Sequence, residues 1–278
     1  MLFFGDSPST ELQAGLWKMG EKWQILWFYP QNQPHFIQVE SLSLKDIEAK
    51  ILQKCPLLDD LDLNFVYAIP AQYVWQKTVI LSQFTTFEEC EQQCRFTLEK
   101  ELPVPLNKIW FDFRPIPLKQ GFRLDIFAIK IETVAEYFAE FIPFPVTVLD
   151  STTNAIIRAF EYCLQQEKKD SLLIYQDNEQ IIAIQQKPHE LRVLPKNGKN
   201  LTALFEQFCK RYQETPTLIY FHSTITVTEP LPQDWQIIEC DFPFIALGNA
   251  LWKRATFEPN LSNMQVPTET DMDASHVH

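Results

Sequence analysis

Three aspartates lead the residues of this chain that could do chemistry. Asp112, Asp125 and Asp150 could together hold divalent metal for phosphodiester cleavage, since carboxylates suit hard cations beside a phosphate. The same residues have a plainer reading, which the sequence favours. Asp112 and Asp125 suit the solvent faces of strands, and Asp150 suits a helix N-cap. Cys90 and Cys94, four residues apart, could ligate zinc, but no histidine or second cysteine pair lies near them. Core packing along one helix face accounts for both. His276 and His278 end a polar tail, and neither a G-x-S-x-G elbow nor an H-E-x-x-H pair is present.

Phosphate chemistry needs glycine, because the backbone must come within hydrogen-bonding distance of the phosphate. The chain has six glycines, at 5, 15, 20, 121, 198 and 248, and no two fall in a G-x-G-x-x-G or a G-x-x-x-x-G-K loop. The hairpin "QAGLWKMGEKWQILWF" (13–28) is the one place near the start where a strand–turn–strand cradle is expected. Its apolar Ala14 and Leu16 face Trp23, Ile25 and Trp27 across a turn at 18–22.

The totals exclude several classes. A net charge of −12 over 278 residues argues against direct nucleic-acid binding and against docking on anionic lipid. The richest apolar stretch, 122–149, is broken by Arg123, Asp125, Lys130, Glu132, Glu136 and Glu140, so no membrane span is expected. No leader with a basic start and a long apolar run is visible. The six cysteines are scattered, as reduced core thiols in the cytosol would be.

The elements that must position any site read as follows. Strands are expected at 13–18, 23–28, 35–40, 63–69, 74–81, 107–116, 122–131 and 144–149, with helices from Ser43, Thr86, Thr133 and Asp150 or Ser151. Thr86-x-x-Glu89 is a capping box. Later strands are expected at 171–176, 180–186, 190–194, 217–221 and 235–240, with helices at 201–212 and after a capping Asp241. From Glu258 the chain is polar and expected to be a disordered tail.

Residues 12–54 and 171–212 share one order: strand, strand, strand, helix. Each is followed by a further strand, then a strand and a capped helix. This is the ribonuclease-H-like unit, and two in tandem make an actin-like α/β fold with ATP between the halves. The expected division is a first half over 1–165 carrying an α+β insert at 71–145, a reduced second half over 166–257, and a tail over 258–278. The insert has little core of its own, so Trp75, Phe96, Trp110, Phe111 and Phe113 suit either core packing or a partner surface.

On these residues the chain resembles the PilM family of type IV pilus assembly proteins, particularly its divergent competence members ComA and HofM. The shared marks are Ala68-Ile69-Pro70 at a strand end and the acidic helix running to "ELPVPL" (101–106). Asp112-Phe113, Leu124-Asp125-Ile126, Leu149-Asp150 and the closing "FPFIALGNALWKR" complete them. The resemblance spans 12–255 and is most specific over 66–165.

The departures are at the nucleotide. The family hairpin "D-I-G-S-S-S-x-K" is here "WKMGEKWQ", with Trp17 at the acidic position and Met19 in place of glycine. The second phosphate hairpin is "IYQDNEQII", without glycine, serine or threonine. Losing about four charge-assisted bonds of ~1.5 kcal/mol would weaken binding by ~6 kcal/mol, roughly 10⁴-fold. The expectation is therefore no cofactor, no metal and no catalysis, with an active actin-like ATPase as the alternative. The resemblance further implies a cytoplasmic scaffold, reaching the inner membrane only through its partner. That partner would be a PilN-like bitopic protein whose N-terminal peptide is clasped where the insert joins the first half. Tyr67, Ile69, Pro70, Phe96, Leu102, Trp110 and Phe113 would supply pockets for an extended peptide. Glu99, Glu101 and Asp112 would meet an arginine in it.

Overall fold

A computed structural model describes residues 10–58, 61–81, 86–139, 141, 143–165 and 170–254; the expected tail at 258–278 lies outside them. The first half opens with β1 (Thr10–Met19), β2 (Lys22–Phe28) and β3 (Pro34–Val39), then α1 (Leu44–Lys54) and β4 (Leu61–Ile69). Gly20 takes φ +61° in the β1–β2 turn, a conformation that glycine adopts without strain. Between β4 and the end of the half lie β5 (Trp75–Leu81), α2 (Phe87–Glu101), β6 (Ile109–Pro117), β7 (Phe122–Lys130) and α3 (Ile131–Phe138). The half closes with β8 (Val148–Ser151) and α4 (Thr152–Leu164). The second half runs β9 (Leu172–Gln176), β10 (Gln180–Lys187), β11 (Glu190–Asn197), α5 (Leu201–Tyr212), β12 (Ile219–Ser223), β13 (Trp235–Ile237) and α6 (Phe244–Ala250).

Two five-stranded sheets repeat one topology. The first is ordered β3-β2-β1-β4-β8 and the second β11-β10-β9-β12-β13. In each, the first three strands form an antiparallel meander, and the fourth and fifth pair in parallel. The fold is the actin-like tandem the sequence order implies. The strand expected at 144–149 is shorter and pairs with β4, Val66 opposite Val148 and Ile69 opposite Ser151.

The second half's last helix crosses over: α6 lies across β1, β2 and β4 of the first sheet and packs on α4, which itself touches β4 and β8 of its own half and β9 of the second sheet. This explains why all of β2 from Trp23 to Phe28 is buried and why one core runs through both halves. Two polar contacts fix the crossing: Asn249 Nδ2 donates to Leu16 O at 2.7 Å, and Gln13 Nε2 donates to Ala250 O at 2.7 Å.

Helix starts differ in detail from expectation. Thr86 and Glu89 form the reciprocal capping box, and Ser151 caps α4 through the Thr153 N–H. α1 begins after Ser43, but its hydroxyl makes no cap bond. α6 begins after Pro243 without a side-chain cap, so Asp241 does not cap it. α3 starts at Ile131, two residues before Thr133, because β7 runs directly into it.

Candidate functional site

The insert's sheet, ordered β5-β7-β6, has two distinct faces. Ile109, Leu124, Ile126 and Ala128 point to α2 and pack with Cys90, Cys94 and Leu98 in a small core of their own. Burial pushes the Cys94 thiol up to about 12 and raises Cys90 as well. Both are inert packing groups, and among the described residues no cluster of histidine, cysteine or acidic side chains could hold a metal.

The opposite face looks into a groove between the insert, α4 and the β10–β11 turn, with a cavity volume of ≈ 1130 Å³. Trp110, Arg114, Arg123 and Phe127 line the insert wall; Asp150, Asn154 and Arg158 line the wall built by the first half. Asp150 Oδ2 holds Arg158 Nη2 at 2.5 Å, while its Oδ1 accepts from Asn154 Nδ2 at 2.9 Å. Asn154 and Arg158 lie i, i+4 on one side of α4, and Asp150, in β8 just before the helix cap, meets both. Arg158 Nε donates on to Gly248 O at 2.7 Å, so the wall is tied to α6.

Asp125 does not face solvent, contrary to the expectation from its strand position. It is fully buried, accepting from Arg123 at 2.7 Å, Arg114 at 3.3 Å and Thr78 Oγ1 at 2.8 Å. Arg123 Nη1 continues to Lys187 O at 2.5 Å in the second half. The reason is tertiary: the insert docks against the β10–β11 turn, and a buried charge there must be paired. Asp150 is likewise an ion-pair residue, the cap falling to Ser151. Asp112 is exposed, as expected.

The ten residues expected to clasp a peptide are not brought to one surface. Ile69, Trp110, Asp112 and Phe113 line the groove. Trp110, 53% exposed, projects on the groove face of the sheet, whereas the Phe113 ring packs 5.1 Å from Phe87 of α2. Phe96 and Glu99 are exposed on α2, and Leu102 packs into the insert core, all beyond the sheet from the groove. Glu101 is paired with Lys77. Tyr67 is buried under Trp17, Trp23 and Phe141, and Pro70 is buried at the end of β4. Sequence reasoning missed Arg114, Arg123, Asn154 and Arg158. Only the Asp150–Asn154–Arg158 spacing signalled any of them.

Two strand edges border the groove, β6 and β8, each the last strand of its sheet. Both are blunted by the chain itself. Pro115 and Pro117 of β6 have no N–H, Asp112 Oδ1 accepts the Phe113 N–H at 2.8 Å, and Asp150 Oδ1 accepts the Ser151 N–H at 2.7 Å. Two polar atoms in the walls lack partners: Arg123 Nε, a donor, and Asn154 Oδ1, an acceptor.

The β1–β2 and β9–β10 hairpins, where the resemblance implied phosphate contacts, are built as follows. Trp17 is buried and stacks on Tyr67 with ring centroids 6.0 Å apart. In the β9–β10 turn, Asp177 Oδ1 accepts the N–H groups of Glu179 at 2.8 Å and Gln180 at 2.9 Å. Both amides are thus taken up by a carboxylate of the same turn.

Among solved structures, the chain is similar to the cytoplasmic domain of EpsL, an inner membrane component of the type II secretion system of Vibrio cholerae. The TM-score is 0.54 at 12% identity, covering 88% of this chain and 96% of that one. It is also similar to the PilM–PilN type IV pilus biogenesis complex, with a TM-score of 0.51 at 17% identity over 76% of this chain and 81% of that one. The likeness is one of fold. No family model matches the sequence, and no curated protein matches it.

Proposed function

We propose that this chain is an actin-like scaffold of a type IV pilus or type II secretion assembly, including the DNA-uptake machines of competent bacteria. Its groove takes the extended N-terminal cytoplasmic tail of a PilN-like inner-membrane protein. The groove itself carries the reading: a cavity of ≈ 1130 Å³ with Trp110 and Phe127 on one wall and unpaired polar atoms on both. A short tail gains little from helix formation in water, so it enters extended. Because both strand edges are blunted, side-chain pockets hold it, rather than strand addition along a full edge. No helix among the described residues is long and apolar enough to cross a membrane, which suits attachment through a partner.

In this reading the scaffold works without ATP turnover, which the Trp17–Tyr67 stack and the Asp177 carboxylate on the Glu179 and Gln180 amides support. Co-purification of the chain with a synthetic tail of its PilN-like neighbour tests the reading. Capture that is lost on Trp110→Ala supports it. A folded chain that retains no such tail overturns it.

A further inference from the structure

The groove has the opposite charge character from the molecule around it. The chain carries −12 overall, yet the groove is lined by six cationic side chains and three carboxylates. Two of those carboxylates already have partners, Asp150 in Arg158 and Glu161 in a contact of its own, and the buried Asp125 behind the wall takes Arg123 and Arg114. A third, Asp112, spends one oxygen on the Phe113 N–H. On the cationic side, Arg114 is 46% exposed, with one Nη on Asp125 and its guanidinium 5.9 Å over the Phe127 ring. Lys119 and Lys253 are exposed on the same lining.

Arg123 adds a second, independent sign. Its side chain is 6% exposed and both terminal nitrogens are bonded, to Lys187 O and to Asp125. Its Nε is buried without an acceptor. A buried donor left empty costs about 1–3 kcal/mol, so an oxygen arriving at this wall recovers that cost. The sequence led to the opposite expectation, an arginine in the tail meeting Glu99, Glu101 and Asp112. Glu99 lies beyond the sheet on α2, and Glu101 is paired with Lys77.

Resting on the groove reading above, we infer that the segment it takes is acidic. An apolar residue packs on Trp110 and Phe127, and a carboxylate-bearing residue next to it meets Arg114 and Lys119. An arginine-bearing tail would instead find cations on both walls and its nearest acids already paired. Like-charge juxtaposition of this kind selects against the wrong partner as much as attraction selects the right one.

The test pans a phage-displayed library of random twelve-residue peptides on the full chain, then measures synthetic versions by fluorescence anisotropy. Variants are Trp110→Ala, the reversal Arg114→Glu/Lys119→Glu and the milder Arg114→Gln, each first checked by thermal melting. Expected are enriched peptides with an excess of Asp and Glu. They should bind at least ~10-fold more weakly to Trp110→Ala and to the reversal, with Arg114→Gln between. Peptides rich in Lys and Arg that still depend on Trp110 would overturn the acidic inference and leave the groove standing. Enriched peptides indifferent to every variant, or no enrichment, would overturn the groove reading and the inference with it.

Discussion

Gly15 of β1 sits so close to Ala246 of α6 that a Cβ on Gly15 would stand 2.1 Å from the Ala246 carbonyl oxygen. The same hypothetical atom would be 2.3 Å from the Ala250 nitrogen. Gly248 makes the reciprocal approach on the other side of α6, 1.9 Å from Ala155 O. The two glycines let the second half's last helix wedge between β1 and α4. Gly15→Ala or Gly248→Ala must move backbone, so each should cost the upper end of the ~1–3 kcal/mol typical of overpacking, or more. Urea unfolding of each variant measures it. A variant as stable as the parent would mean that the helix crossing is looser than this geometry.

Glu214 gives a pH-dependent contribution whose sign follows from its partners. Lys187 at 2.6 Å and Arg192 at 2.7 Å hold its carboxyl down to about 2. The folded value lies below the ordinary one, so the stability it adds is present above about pH 4.5 and is lost as pH falls towards 2. Because the side chain is 35% exposed, the contribution is ~1 kcal/mol or less. Glu214→Gln should therefore melt below the parent at neutral pH, and the gap should close between pH 4.5 and 2. A gap that widens on acidification contradicts the pairing.

Much of this fold was legible because each half repeats strand, strand, strand, helix with clear alternation, from Ala14 and Leu16 to Ile181 and Ala183. The capping box at Thr86 is local, and so it could be read locally. What stayed hidden was set by contacts distant in sequence. Asp125 looked solvent-facing because its partners include Arg114 and Thr78, and because the second half's Lys187 carbonyl fixes Arg123. The two faces of the insert sheet were equally invisible. Trp110 and Phe113 lie three residues apart, an odd step that puts their rings on opposite sides of a strand. The groove's charge emerges only when β6, β7, α4 and the β10–β11 turn are assembled.

Cys163 and Cys240 are brought together where α4 ends and the segment before α6 begins. Interaction between the two thiols, together with burial, pushes Cys163 up, whereas Cys240 is held below the ordinary thiol range, its Sγ also donating to Phe242 O at 3.4 Å. Cys240 should therefore be alkylated by N-ethylmaleimide before Cys163, and Cys163→Ala should slow it by removing that interaction. Peptide mass mapping over a time course reads both rates. Faster labelling of Cys163 would contradict this order of the two thiols.

Nucleotide binding is expected to be absent at useful concentrations. Calorimetry with ATP and Mg²⁺ should show no saturable binding below ~100 μM, which corresponds to about −5.5 kcal/mol. Asp177→Gly would free the Glu179 and Gln180 amides but leave Trp17 buried on Tyr67, so it should not restore binding. Saturable binding by the parent chain would remove the no-turnover part of the proposal while leaving tail capture to be judged separately.

Trp110 and Phe113 separate the groove from the insert core. Trp110 is half-exposed on the groove wall, so Trp110→Ala should weaken tail capture by ~1–3 kcal/mol while the melting temperature holds. Phe113 packs against Phe87 and the α2 core. Phe113→Ala should act first on stability, by an amount below the ~3–5 kcal/mol of a fully buried phenylalanine because the ring is only half-buried. Its effect on capture should track the fraction of folded insert. Pull-downs with the PilN-like tail, run beside thermal melts of both variants, separate the two roles. If Phe113→Ala abolishes capture with an unchanged melt while Trp110→Ala does neither, the tail sits on the α2 side of the sheet. The site would then be the surface around Phe96 and Glu99, not the groove.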